Sequence, residues 1–147
     1  MYSANEISED VVQIVDEHIT ENGNIAYRFA EHLSVFPEKI AYIQGERRVT
    51  WKESIERTYR ICHALQHLGI KKGDRVAILS RNSIEYSEVM SATLLIGACM
   101  VPLSTMVTAE NIIKMLKDAS AKVLVAEKDL AEQVSPSIDE VATIVEG

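Results

Sequence analysis

Apolar and polar positions recur along this chain with two periods, and the switch between them is clearest from Arg75 to Met106. Arg75 to Leu79 is a short apolar run behind the turn cluster Lys72-Gly73-Asp74, which predicts a strand. Asn82 is placed to cap the helix that follows, with Glu85 three residues later at the capping-box position. Ile84, Val89, Met90, Ala92, Leu94 and Leu95 put apolar side chains on most sides of that helix, which predicts burial within protein. Gly97 ends it. Residues 99–103 form a second apolar run, stopped at Pro102, which has no N–H to give to a ladder. Strand, buried helix and strand in so few residues predict a parallel crossover unit.

The same reading extends in both directions. Residues 1–23 hold one weakly amphipathic piece, 11–15, and are read as an arm or a helix. Asn24 caps a predicted helix whose apolar positions, Ile25, Phe29, Leu33 and Phe36, recur at three- and four-residue steps up to Pro37. Residues 40–43 and 48–51 flank Gln44-Gly45-Glu46-Arg47 and predict a β-hairpin. Thr50 with Glu53 makes a capping box for a helix carrying Ile55, Tyr59, Cys62, Leu65 and Leu68 on one stripe, ended by Gly69. Glu56, Arg57, Arg60 and Gln66 fall on its other faces and are read as solvated. Thr108 caps a further helix that buries Ile112, Leu116 and Ala119, with Ile113 and Met115 beside them. Residues 122–126 read as a third strand and 129–134 as a short helix or turn. After a break at Ser135-Pro136-Ser137, residues 141–145 read as a fourth strand. The expected fold class is α/β: a mainly parallel sheet flanked by helices, with a β-hairpin ahead of it and residues 24–147 as one subdomain.

A chain of 147 residues has room for a real core. The formal net charge of −7 argues against a nucleic-acid or anionic-membrane surface. The N-terminus is acidic where a secretory signal is positive, so none is expected. The longest apolar stretch, 89–103, is interrupted by Ser91, Thr93, Gly97 and Pro102 and falls short of the roughly 20 residues a membrane span needs. Cys62 and Cys99 both sit in apolar contexts and read as small core residues of a reducing compartment, the cytoplasm.

Little here is built for catalysis. There is no glycine fingerprint for a dinucleotide, no phosphate loop ending in Lys-Ser/Thr and no nucleophile elbow. His63 and His67 stand four apart on one predicted helix but lack a third metal ligand, and read as a surface pair. Glu85 and Glu88 read as a helix cap and a solvated turn. Neither a catalytic set nor a metal site is expected. Open parallel sheets bind ligands beyond the carboxyl ends of their strands, which here are residues 80–83, 104–106 and 127–129.

From Val49 to Glu127 the sequence resembles the opening of an adenylate-forming enzyme. The resemblance rests on Thr50-Trp51 with Glu53, then Leu65, Gly69 and Gly73-Asp74-Arg75-Val76-Ala77. Asn82 with Glu85, Gly97-Ala98, Val101-Pro102-Leu103, Glu110 and Asp118 to Lys122 continue it in order. That superfamily includes acyl-CoA synthetases, luciferases and peptide-synthetase adenylation domains. The pattern is most similar to acyl-CoA synthetases acting on fatty or aromatic acids. The resemblance implies that a carboxylate attacks the α-phosphate of ATP, with Mg²⁺ offsetting phosphate charge, and that the thiol of CoA then displaces AMP. It implies ATP, Mg and CoA as needs of the full enzyme. Its implied partners are the remainder of the large domain and the mobile C-terminal domain. The family's phosphate loop ending in Pro-Lys-Gly and its catalytic lysine have no match in these residues. The chain is therefore expected to be a fragment that is inactive and ligand-free alone. Ser104, Thr105 and Met106, after the Val-Pro-Leu strand, are implied to lie on the CoA side. Two alternatives stay open: an enzyme loading an acyl carrier protein or other acceptor, and a stand-alone α/β nucleotide-binding or interaction module. The all-round apolar helix at 83–96 also predicts an exposed patch and self-association.

Overall fold

The computed structural model describes residues 35–134 in full and 142–146 by their backbone. The arm at 1–23, the helix start at Asn24 and the break at Ser135 lie outside the described residues. The elements run in the order β1 (Ile40–Gln44), β2 (Arg47–Thr50), α1 (Trp51–His67), β3 (Arg75–Leu79), α2 (Ile84–Leu95), β4 (Cys99–Pro102), α3 (Ala109–Ala119), β5 (Val123–Glu127), α4 (Lys128–Val134) and β6 (Ala142–Glu146). β1 and β2 pair antiparallel around Gly45, whose φ of +59° is the left-handed conformation the turn requires. The other four strands form one parallel sheet in the order β4-β3-β5-β6. This is the expected α/β class, hairpin included.

Alternation along the two central strands divides the core. Val76 and Ile78 of β3, with Val123 and Val125 of β5, face α1 and α2 through Ile55, Tyr59, Cys62, Leu65, Val89 and Leu95. Ala77, Leu79, Leu124 and Ala126 face the opposite layer, with Ile112 and Leu116 of α3 and Leu130, Ala131 and Val134 of α4. A strand covered on both faces reads as an unbroken apolar run, which is how β3 and β5 read in the sequence.

The helix ends follow local chemistry. At α1 the Glu53 amide donates to Thr50 Oγ1 at 3.2 Å, and the Thr50 amide donates to Glu53 Oε2 at 2.8 Å, closing the expected box. Past its other end, Gly69 takes φ +80°. α2 is capped one residue later than expected: Ser83 Oγ accepts from the Tyr86 amide at 2.9 Å, so Asn82 is not the cap. Glu85 is drawn instead into an ion pair with Arg47 of the hairpin. α3 starts at the expected Thr108 and ends on Ser120, a left-handed non-glycine residue at φ +49°. The Arg75 guanidinium offsets that conformation by donating to the carbonyls of Ala119 at 2.7 Å and Ser120 at 3.1 Å.

Several solvent expectations are overturned. Glu88 is only 1% exposed. Arg57 of α1, expected in water, reaches across to it: Nε donates to Oε2 at 2.9 Å and Nη2 to Oε1 at 2.8 Å. A single-chain period places both residues off the apolar stripe, but two helices packed side by side make that flank interior. The paired fork satisfies a carboxylate that water does not reach. Burial, and then the Glu88 carboxylate, push the Tyr42 phenol above its ordinary value, while the Ser87 hydroxyl opposes the rise. Leu68, at the C-cap of α1, and Met115, beside the Ile112–Leu116 stripe of α3, are exposed, and Cys99 is exposed at the start of an edge strand. Cys62 is buried as expected, and desolvation pushes its thiol up to about 12. α2 contributes none of the exposed large apolar side chains, because α1 and the sheet cover it. The patch expected on α2 is therefore absent. Among the described residues no helix is long and apolar enough to cross a membrane.

Two stability outcomes follow. Arg57→Ala strands a buried carboxylate and is expected to cost about 3 kcal/mol in urea unfolding, while Arg57→Met combined with Glu88→Leu costs clearly less. If the double replacement is as damaging as Arg57→Ala, the cost does not come from an uncompensated charge. Ser120→Gly removes a left-handed penalty of about 1 kcal/mol that exceeds the added chain entropy, so the melting temperature is expected to rise by a few degrees.

Candidate functional site

Sheet order singles out one place for a ligand. From β3 the chain leaves through α2 to β4 on one side, then returns through α3 on the opposite face to β5 on the other side. The carboxyl ends of β3 and β5 are neighbours whose following segments diverge. That makes a topological switch point, where open α/β sheets leave a crevice.

The crevice here has a volume of about 480 Å³ and is lined by Gln44, Arg47, Arg81, Asn82, Ser83, Glu85 and Glu127. Its third wall is the hairpin. Gln44 Oε1 accepts from the Ile84 amide at 3.3 Å, and Arg47 pairs with Glu85, so the hairpin is fastened to the first turn of α2.

The floor is a charge network. Ser80 Oγ donates to Glu127 Oε1 at 2.8 Å, and the Arg81 amide donates to the same oxygen. The Arg81 guanidinium pairs with Glu127 and reaches Asp129 Oδ2 at 2.7 Å. Burial works against ionisation of Glu127, but the Ser80 hydroxyl and the Arg81 amide and guanidinium outweigh it and hold the carboxyl below the usual range. Hydrogen bonding from Arg81 lowers Asp129, and Asp129, then Glu127, raise Arg81. Burial also opposes ionisation of Glu85, yet its own amide and Arg47 bring its carboxyl below the ordinary value.

These residues do not fit the phosphates of a nucleotide. Both guanidiniums already face carboxylates, so a phosphate would have to displace one, and no glycine loop turns amides into the space. Among the described residues no three potential metal ligands converge, His63 and His67 included.

The loop implied to face CoA begins where β4, an edge strand, ends. Ser104, Thr105 and Met106 are exposed, Met106 by 93%. The Met106 amide donates to Ser104 Oγ at 3.2 Å, which shapes the turn. The loop offers hydroxyls and a thioether but no cation. The sequence pointed to residues 80–83 and 127–129 as separate strand ends. That they meet through Arg81 depends on β3 and β5 being neighbours across a crossover, which strand periodicity does not encode.

A family model described as AMP-binding enzyme matches residues 29–146. The 2-succinylbenzoate–CoA ligase of Bacillus cereus (strain ZK / E33L) is 31% identical over 100 residues, covering 68% of this chain and 21% of that protein. The 3-oxocholest-4-en-26-oate–CoA ligase of Rhodococcus rhodochrous is 30% identical over 125 residues, covering 83% of this chain and 22% of that protein. The chain thus spans roughly a fifth of the length of these relatives. Among solved structures, the Klebsiella oxytoca NpsA N-terminal subdomain in complex with 3-hydroxyanthranilyl-AMSN superposes with a TM-score of 0.73 at 29% identity, covering 83% of this chain and 30% of that one. A Mycobacterium tuberculosis fatty acyl CoA synthetase gives a TM-score of 0.77 at 26% identity, covering 84% of this chain and 26% of that one. With a sequence and a fold that both align there, the chain belongs to the AMP-binding enzyme family and corresponds to the N-terminal part of its adenylate-forming acyl-CoA ligases.

Proposed function

We propose that these residues are the scaffold of an ATP-dependent ligase that joins a fatty or aromatic carboxylic acid to CoA through an acyl-adenylate. The observation that carries this reading is the family match, which runs unbroken through every element from β1 to β6. In such a reaction a carboxylate oxygen attacks the α-phosphate of ATP, pyrophosphate leaves, and the CoA thiol then displaces AMP from the acyl carbon. The described residues bring no base, nucleophile or free cation cluster to that sequence. Their share is geometric: a rigid parallel sheet whose carboxyl ends are tied by Arg81 and whose β4 loop, Ser104 to Met106, lies on the CoA side. On this reading the chain alone is inactive and binds neither ATP nor Mg²⁺, and the parent protein works in the cytoplasm, where it draws on ATP and CoA. The partners are the rest of the large domain and the C-terminal domain. One comparison favours a second acceptor: an artificially fused NpsA-ThdA adenylation–PCP di-domain of Klebsiella oxytoca superposes with a TM-score of 0.74 at 29% identity. A carrier-protein thiol in place of CoA is the alternative reading.

The test is pyrophosphate release and thioester formation with a panel of fatty and aromatic acids. The parent protein carrying these residues is expected to release pyrophosphate and form acyl-CoA, and the 147-residue chain to do neither. Turnover by the chain alone would overturn the scaffold reading, and thioester on a carrier protein without acyl-CoA would establish the alternative. In the parent protein, Met106→Glu is expected to raise the KM for CoA several-fold while leaving adenylation unchanged. An unaltered KM removes the loop from the CoA side.

A further inference from the structure

We infer that the tip of the hairpin, residues 43–48, is a flap over the crevice that opens and closes while the rest of the fold stays intact. β1 and β2 stand apart from the parallel sheet as a two-stranded ribbon, an arrangement with little stability of its own in water. What holds the ribbon differs between its two ends.

The root is held by burial. Val49 is buried, and Trp51 packs against the core shared by α1 and α2. Tyr42, which pairs with Val49 across the ribbon, sets its ring 6.3 Å from that of Trp51. The Trp51 amide donates to the Lys39 carbonyl and the Lys52 amide to the Pro37 carbonyl, both at 3.0 Å. Past the Tyr42–Val49 pair, burial stops. Every residue from 43 to 48 is exposed, Ile43 by 62%.

Two polar contacts fasten this tip to α2: Gln44 accepts from the Ile84 amide at 3.3 Å, and Arg47 pairs with Glu85. Neither brings apolar burial with it. A gap of about 210 Å³ separates Tyr42, Ile43 and Gln44 from Asn82, Ser83 and Ile84, so close packing does not hold the tip down. An ion pair whose side chains are 47% and 27% exposed adds little. The floor of the crevice is held differently. Its links run from Arg81 to Glu127 and Asp129, at the ends of adjacent strands, and stay with the sheet. Lifting the tip therefore withdraws Gln44 and Arg47 and leaves Arg81, Asn82, Ser83, Glu85 and Glu127 in place. The flap is a gate on the switch-point crevice, latched by one surface charge pair. It follows from contacts within this chain and does not rest on the proposed ligase function.

Two measurements on the 147-residue chain test the flap. Ile84 begins α2, so its amide has no acceptor inside the helix, and its exchange with solvent reports release of Gln44. That amide is expected to exchange at least about tenfold faster than those of Ala77 and Ile78 in β3. In Arg47→Ala it is expected to exchange several-fold faster again, with the β3 amides unchanged. Arg48→Ala, on the other face of the same strand, is expected to leave it unaltered. The second measurement is the distance between spin labels at Glu46→Cys and Lys128→Cys in a Cys99→Ser background, where Cys62 is buried and stays unlabelled. Two distances are expected, the longer gaining population in Arg47→Ala and in high salt, which screens the latch. A single narrow distance that neither change moves overturns the proposal. So does an Ile84 amide that exchanges with the β3 core, ignores Arg47→Ala or responds equally to Arg48→Ala. Faster exchange of β3 in Arg47→Ala also overturns it, since the tip would then be part of one cooperative unit with the sheet.

Discussion

Everything in this fold depends on two strands that are apolar on both faces. β3 and β5 cannot leave either face in water, so helices must cover both, and a right-handed crossover fixes which helix goes where. α2 carries the chain from β3 to β4 above the sheet, and α3 returns it to β5 below. The reversal between those two connections opens the crevice at the carboxyl ends. The position of the candidate site is thus a consequence of hydrophobic burial and chirality, and the polar residues around it only decide what the space can hold.

Those polar residues are spent on each other. Arg57 closes on a carboxylate that the α1–α2 interface has taken out of water, and Arg81 closes on two carboxylates at the ends of the central strands. The two cases differ in energy. Glu88 is enclosed, so losing its partner leaves a charge with no compensation. Arg81 and Asp129 are more than half exposed, where an ion pair between solvated groups contributes little to stability. The Arg81 network is better understood as setting the distance between two loops than as holding the domain together.

Much of this was legible in the residues. The strands, the hairpin, the Thr50–Glu53 box and the Thr108 start are local features, written in adjacent side chains, and the structure repeats them within a residue or two. What failed was non-local. Asn82 and Ser83 are both competent caps, and the choice between them goes with Glu85 being taken by Arg47, a residue 38 positions away. Glu88 and Arg57 read as solvated because each lies off its own helix's stripe, and only the neighbouring helix makes that flank interior. Cys99 reads as core from its apolar neighbours, yet it stands at the start of a strand on the sheet's edge and is exposed. The joining of Arg81 to Glu127 and Asp129 required the strand order, which no window of the sequence contains.

The same distinction separates the residues that build this family's sheet from those that carry chemistry. The matched features, glycines after helices, caps and the Val-Pro-Leu strand end, specify how a doubly covered parallel sheet is built. Residues that build a sheet are constrained by packing and backbone geometry, and those constraints are the same whatever acid or acceptor the parent protein uses. Phosphate binding requires cations and amides left unpaired until substrate arrives. In the crevice both guanidiniums are already held by carboxylates, an arrangement that fixes geometry by giving up ligand capacity. A surface organised in that way is suited to hold its shape while other parts of a protein carry the reacting groups.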